Sequence, residues 1–146
     1  MERILLYIVS GETRASWDRA IELSKSLSSM LYALFIVDRD TVRKVSTLRG
    51  KDEIDTAIEI EEEGWKYLYH LEEIAVDNGV KTALFLEEGD TIDVIRSFVK
   101  NREINLLIVG YRRGEGIGGR KYERLIEQLI EYIPCPVLVE KEGGRK

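Results

Sequence analysis

Five short runs of apolar residues are spread along the chain, and each is followed by a polar or glycine-containing segment. Unbroken runs of this kind are typical of strands that are buried on both faces of a parallel sheet. The predicted strands cover residues 4–9, 30–37, 80–86, 104–109 and 137–139. Pro136 directly precedes the last run, and a proline at the start of a strand favours the edge of a sheet.

Between these runs, apolar residues recur at the spacing of amphipathic helices. The predicted helices fall near residues 17–27, 52–76, 91–99 and 122–133, and Asp90 is the expected N-cap of the third. Strands that alternate with helices imply right-handed crossovers and a parallel sheet covered on both faces. We therefore predict an α/β three-layer sandwich around a five-stranded parallel sheet.

Three segments have no regular pattern. Residues 39–51 show no clean period, so we expect a mobile connection there whose role the sequence does not indicate. The glycines of residues 110–119 predict a loop, and the charged, glycine-rich residues 142–146 predict a frayed end. Because ligands of such sheets bind beyond the carboxyl ends of the strands, we expect function in the loops after Val9, Val37 and Val109.

Composition and charge narrow the class of protein. A chain of 146 residues has the usual length of one domain, so we expect a single domain over residues 1–146. The net charge of −5 argues against nucleic acid or an anionic membrane as the main partner. No apolar run approaches the roughly 18 residues that a membrane helix needs. Cys135 is the only cysteine, which excludes an internal disulfide and predicts a reducing, cytoplasmic location.

Few residues are suited to catalysis or to metal binding. His70 is the only histidine and Cys135 the only thiol, so we expect no metal site and no catalytic group. A binding protein is therefore a better expectation than an enzyme. The arginines after the fourth strand allow two interpretations. Arg112 and Arg113 either keep an acidic protein soluble or capture an anion, with Tyr111 available to stack.

Several segments resemble the universal stress protein family, and together they extend over essentially the whole chain. The most specific is the end of the sequence, where a strand closing on Gly110, a basic glycine loop and a helix precede the segment Pro134-Cys135-Pro136-Val137. Further matching segments are Ile4-Leu5-Leu6, Ile36-Val37-Asp38 and Gly89-Asp90. The resemblance implies a Rossmann-like, adenine nucleotide alpha hydrolase-like fold and a role in the stress response. It also implies a homodimer that pairs through the last strand, here Val137, Leu138 and Val139.

Many members of that family bind ATP through the pattern Gly-x2-Gly-x9-Gly-Ser/Thr, whose amides and hydroxyl cradle the phosphates. Placed on this sequence by spacing, the four motif positions are Gly110, Arg113, Glu123 and Arg124. The aspartate that contacts the ribose in the family falls at Val9, with Ser10 and Gly11 next to it. The backbone that contacts the adenine follows the second strand, at Val37 and Asp38.

Only Gly110 keeps the residue type of the motif. Arg113 places a long side chain where a glycine lets phosphate approach, and Glu123 brings a carboxylate toward a triphosphate. We therefore predict a stress-protein-like binding or signalling module without conventional ATP binding. The alternative is a nucleotide-binding member with a rearranged phosphate loop and slow ATPase activity, for which ATP is the implied cofactor. A third hypothesis is a receptor for a small anion held by Arg112, Arg113 and Arg124.

Overall fold

The computed structural model describes residues 3–10, 14–112 and 117–142, and within the last range it describes side chains from residue 122 onward. These residues form alternating strands and helices, with two successive helices after the second strand. The elements in chain order are β1 (Arg3–Ile8), α1 (Arg14–Leu27), β2 (Met30–Asp38), α2 (Arg39–Arg49), α3 (Glu53–Asp77), β3 (Thr82–Gly89), α4 (Thr91–Asn101), β4 (Leu106–Tyr111), α5 (Ile117–Tyr132) and β5 (Val137–Lys141).

The five strands form one parallel sheet in the order β3-β2-β1-β4-β5. Successive residues of a strand point to opposite faces, so the apolar run of β1 feeds two cores. Leu6 belongs to the cluster under α1 and α3, whereas Leu5 belongs to the cluster under α4 and α5. The three-layer α/β sandwich is confirmed, and β5 occupies an edge as Pro136 predicts.

The prediction of a mobile connection at residues 39–51 is wrong, because most of this segment forms α2. Asp38 caps its start, and Gly50 ends it in the left-handed conformation with φ of +64°. Only Val42 and Ser46 of this helix are buried. A helix that buries so few residues carries almost no apolar periodicity, which explains the missing signal.

The glycine-rich segment also divides differently from the prediction. Gly110 and Tyr111 are the last residues of β4, and α5 begins at Ile117, earlier than the apolar pattern predicts. Gly118 and Gly119 therefore lie in the first turn of a helix. Residues 113–116 of the predicted loop lie outside the described part of the chain.

The order of the strands places the switch point of the sheet, where successive crossovers change face, between β1 and β4. The chain leaves β1 through α1 on one face of the sheet, whereas it leaves β4 through α5 on the other face. This reversal opens a crevice beyond the carboxyl ends of the two strands, where ligands of doubly wound sheets bind. Among the described residues, no helix is both long enough and apolar enough to cross a membrane.

Candidate ligand site at the carboxyl edge of the sheet

Gly110 and Glu142 meet at this edge. Gly110 lies near the end of β4 and is buried, while Glu142 directly follows β5. A Cβ atom at Gly110 would overlap the Oε2 atom of Glu142. Only a glycine leaves room for a carboxylate to lie against the backbone here. The space above the first position of the phosphate motif therefore holds an acidic side chain of the same protein.

The same carboxylate caps the start of α1. Its oxygens accept hydrogen bonds from the backbone amides of Ala15, at 2.8 Å, and Ser16, at 3.1 Å. The unpaired amides and the dipole at the N-terminus of a helix both favour a negative charge. Glu142 is only 7% exposed, so its charge is balanced by these amides rather than by solvent. The carboxylate thus fills an anion-binding position between α1 and β4.

The residues around Glu142 are held firmly, so the prediction of a frayed end is wrong at this position. The amide of Glu142 donates to the carbonyl oxygen of Tyr111 at 2.7 Å and so extends the pairing of β4 with β5. One residue before β5 ends, Glu140 forms an ion pair with Arg19 of α1, with 3.0 Å between Oε1 and Nε. Residues 143–146 lie outside the described part of the chain.

Tyr122 of α5 lies on the opposite side of the space that the Glu142 carboxylate fills. Its hydroxyl donates a hydrogen bond to the carbonyl oxygen of Gly110. Burial raises the pKa of Tyr122 to about 12, and the negative charge of Glu142 also raises it, while Arg112 acts in the opposite direction. The carboxylate, the tyrosine and the arginine therefore share one electrostatic environment at the end of β4, in which the phenol keeps its proton at neutral pH.

The sequence leaves open what the Asp38 side chain contacts, and in the structure this side chain is a helix cap. One carboxylate oxygen accepts from the amide of Thr41 at 3.1 Å and from its hydroxyl at 3.2 Å. The other accepts from the amide of Thr91 at 3.2 Å and from its hydroxyl at 3.0 Å. With four donors around it, the side chain caps α2 and joins it to the start of α4. Asp38 is thus built into the wall of the crevice.

Tyr7 of β1 lies between two parts of this edge, namely the hydrogen bonds around Asp38 and the contact at Gly110. The tyrosine is buried, and its hydroxyl makes a hydrogen bond with the side chain of Thr91. Burial raises the pKa of Tyr7 well above its ordinary value; the bond to Thr91 opposes this, and Tyr122 and Asp38 add to it. A neutral phenol therefore lies between the Asp38 network and the Gly110 position.

The remaining predicted residues occupy varied positions. Val37 is buried in the core, Val9 is half-buried against the cluster under α4 and α5, and Ser10 is exposed. The side chain of Val37 is therefore enclosed by the core and is not accessible at the edge. Gly11 lies outside the described residues.

The residues predicted for the phosphate motif are not all together. Glu123 is half-buried and accepts a hydrogen bond from the hydroxyl of Tyr111 at 3.2 Å, so it belongs to the edge. Arg112 and Arg124 are exposed, and Arg113 lies outside the described residues. The structure therefore joins Tyr111 and Glu123 near Gly110, whereas Arg112 and Arg124 are exposed to solvent.

Sequence reasoning missed Glu142, Thr91 and Tyr122, and it left the role of Tyr7 open. A signal for Glu142 was present, because a residue that directly follows a strand of a parallel sheet lies at the ligand-binding edge. Glu142 was overlooked because it belongs to a charged, glycine-rich segment for which the sequence predicts a frayed end. Nothing in the sequence indicates that a residue after β5 reaches the start of α1.

Comparison with known proteins identifies the relatives of this chain. The model of the universal stress protein family matches residues 1–141, which is nearly the whole sequence. The chain belongs to the universal stress protein family. A universal stress protein of Methanocaldococcus jannaschii is 26% identical over 127 residues, which cover 87% of this chain and 74% of that protein.

Solved universal stress protein structures share the fold. A crystal structure of a family member from Burkholderia pseudomallei matches with a TM-score of 0.73 and 22% identity, covering 94% of both chains. A family member from Arabidopsis thaliana, solved with AMP bound, matches with a TM-score of 0.62 and 17% identity, covering 97% of this chain and 92% of that one. At these identities the structures show the fold of this universal stress protein and leave its ligand to be argued from its own residues.

Proposed function

We propose that this universal stress protein is a binding or signalling module that does not bind ATP in the manner of its family. The observation that carries the proposal is the Glu142 carboxylate, which lies against Gly110 and on the amides of Ala15 and Ser16. A phosphate that approached Gly110 would meet a buried negative charge. Two like charges in such a site repel each other, and the carboxylate already accepts from the amides of Ala15 and Ser16.

The sequence supports the same conclusion at two further motif positions. Glu123 stands where the motif has its third glycine, and its carboxylate lies beside the same edge. Arg124 stands at the Ser/Thr position and is exposed. A triphosphate would therefore lose a hydroxyl donor and gain a second nearby carboxylate. Each lost hydrogen bond to a charged group weakens binding by roughly 1.5–3 kcal/mol.

The alternative function is nucleotide or small-anion binding through a rearranged loop. It is favoured by the AMP that the Arabidopsis thaliana family member holds in the same fold. It is also favoured by Arg112, which lies close enough to Tyr122 to lower the pKa of that phenol. A cation at this edge suits a phosphate or carboxylate group that reaches the site from outside.

We further propose that two copies pair through β5 and that the protein acts in the cytoplasm. The strand is at an edge of the sheet, and Val139 is exposed there. An unpaired strand edge is a template for a second strand. The unpaired, half-buried Cys135 suits a reducing compartment.

The test is a titration with ATP and Mg²⁺, read by isothermal calorimetry and by thermal unfolding. We expect no binding heat and no stabilisation of the wild-type protein at millimolar ATP. A conventional site would give roughly 2.7 kcal/mol of stabilisation at about a hundred times its dissociation constant. Micromolar affinity, or a crystal structure with phosphates against Gly110, would contradict the proposal.

Two variants separate the competing functions. If the carboxylate blocks a phosphate, Glu142→Ala gains affinity for ATP or for inorganic phosphate, whereas Glu140→Ala on β5 does not. If the exposed arginines hold an anion, the wild-type protein binds inorganic phosphate, and Arg112→Ala loses this binding. Arg43→Ala is the matched control, because Arg43 is an exposed arginine on α2 that pairs with Asp40.

A further inference from the structure

The outer face of α3 carries a stripe of apolar side chains that no other described element covers fully. The members are Ile54, Ile58, Trp65, Tyr69 and Val76. At 100° of rotation per residue they fall within an arc of about 60°, and at 1.5 Å per residue they extend over about 33 Å. We call these five residues the α3 stripe.

Four members of the stripe are exposed, whereas Trp65 is half-buried and also packs against the core cluster under α1 and α3. Ile54 is 69% exposed, Tyr69 is 58% exposed and Val76 is 62% exposed, whereas Leu68 and Leu71 are fully buried. Of the nine large apolar side chains that are exposed in the described residues, four belong to this one stripe. Single exposed apolar residues are common, but apolar residues that recur along one side of a helix indicate an interaction surface.

The centre of the stripe has the composition of an interface hot spot. Trp65 is half-buried, and Tyr69 stacks on it with ring centroids 5.5 Å apart and an angle of 26° between planes. Tryptophan and tyrosine at the middle of a patch, with smaller apolar residues toward its ends, are typical of the anchors that dominate binding energy.

The charges beside the stripe indicate the chemistry of the partner. By the helical geometry four glutamates lie among or next to its members, and they are Glu61, Glu62, Glu72 and Glu73. None of these four forms an ion pair with a described residue, in contrast to Glu59, which lies 2.5 Å from Lys51. A row of uncompensated carboxylates along an apolar seam is complementary to a seam flanked by lysine or arginine.

The same charges disfavour a second copy of this helix as the occupant. The sequence of α3 contains nine acidic residues and a single lysine, Lys66. Two such helices packed along their stripes would bring like charges together over the whole length of the contact. An anionic membrane surface is disfavoured for the same reason.

We propose that the α3 stripe is the docking surface for a basic amphipathic helix of a partner protein. Recognition is by packing of one helix against another, in which anchors at i, i+4, i+7 and i+11 of the partner helix meet the α3 stripe. The glutamates select the partner by charge, and the Trp65 and Tyr69 pair provides the central anchor.

The test uses three synthetic helical peptides as probes, each titrated against the full chain. The first has leucines at i, i+4, i+7 and i+11 with flanking lysines and arginines. The second keeps the leucines and replaces the basic residues by glutamates, and the third is a shuffled form of the first. We expect saturable binding of the first peptide only, with a change in tryptophan fluorescence from Trp65 and weaker binding at higher salt.

Matched variants locate the contact. Replacing Ile58 and Tyr69 by serine changes two exposed side chains of the stripe, and we expect at least tenfold weaker binding of the basic peptide. Ile130→Ser changes a residue of similar exposure, 59%, on α5 and should leave binding unchanged. Circular dichroism checks that both variants are folded.

Several results would overturn the proposal. They are the absence of saturable binding, equal binding of the basic and shuffled peptides, and equal affinity of the stripe variant and Ile130→Ser. A dimer of the wild-type protein that the stripe variant abolishes would also overturn it, because the occupant would then be a second copy. Binding of the basic peptide that depends on the stripe and on salt supports the proposal.

Discussion

The carboxylate of Glu142, the residue that directly follows β5, lies against the backbone of Gly110 in the neighbouring strand β4, at the carboxyl edge of the sheet. The contact is possible because glycine has no side chain. It also depends on two backbone amides of α1, which donate hydrogen bonds to the carboxylate. It ties α1, β4 and the end of β5 together at the carboxyl edge of the sheet, where doubly wound folds bind their ligands.

A double-mutant cycle tests the contact. Gly110→Ala places a methyl group on the carboxylate, and Glu142→Ala leaves two buried amides without their acceptor. We expect each change to lower the free energy of unfolding by about 1–3 kcal/mol in urea denaturation. The double variant should be more stable than the sum predicts, by about 0.5–3 kcal/mol, because alanine at 142 removes the overlap.

The control for this cycle is Glu140→Ala, one residue before the end of β5. Its partly exposed ion pair with Arg19 should contribute less than about 1 kcal/mol. Strict additivity of the Gly110 and Glu142 changes would show that the two residues do not act on each other.

A comparison of two helix-capping aspartates, Asp38 and Asp90, tests the role of Asp38. Because Asp38 accepts from both Thr41 and Thr91, Asp38→Ala removes caps from α2 and α4. Within the described part of the chain, the Asp90 side chain accepts from the amide of Asp93 and caps α4. At roughly 0.5–2 kcal/mol for each cap, the Asp38 variant should lose about twice the unfolding free energy that the Asp90 variant loses.

Denaturation of the two variants under identical conditions gives this ratio directly. An equal loss for both would mean that the Asp38 side chain contributes one cap only. It would also return Asp38 to the group of residues that are free to contact a ligand.

The raised pKa of Tyr122 predicts a loss of stability in alkaline solution. The folded protein holds the phenolic proton up to a pKa of about 12, whereas the unfolded chain releases it near pH 10. Above pH 10 the unfolded state therefore binds fewer protons, and stability falls with rising pH until the folded-state phenol ionises. Below pH 10 this residue adds no pH dependence.

Tyr122→Phe should lower stability at neutral pH, because it removes the hydrogen bond to Gly110, and it should flatten the decline between about pH 10 and 12. Urea denaturation at several pH values measures both effects, and tyrosine absorbance follows the ionisation. Tyr132→Phe, at an exposed tyrosine of the same helix, is the control. An equal decline in the stability of the wild type and of Tyr122→Phe over this pH range would show that Tyr122 does not cause the decline.

Sedimentation velocity tests pairing through β5. We expect a dimer of the wild-type protein and a monomer of Val139→Lys, since an outward charge on an edge strand prevents further pairing. Ile130→Lys introduces the same charge at an exposed site on α5 and should remain dimeric if the interface is confined to the strand. A monomeric wild type at micromolar concentration would remove this part of the proposal.

The sequence by itself determined the elements that bury many residues. The apolar runs of β1 and β2 and the long face of α3 carry strong periodic signals, because each packs most of its length against the core. The family resemblance was also readable, since Gly110 and the segment Pro134-Cys135-Pro136-Val137 keep their spacing. The same spacing also showed that Arg113 and Glu123 replace two glycines of the family's ATP-binding motif.

Only the tertiary structure decided how the carboxyl edge is filled. The α2 helix buries too few side chains to be seen in the apolar pattern, and its cap depends on Asp38. Glu142 is 127 residues from Ala15 in the chain, and no local rule pairs a residue after β5 with the start of α1. Strand order brings them together, because a parallel sheet collects the ends of distant strands at one edge.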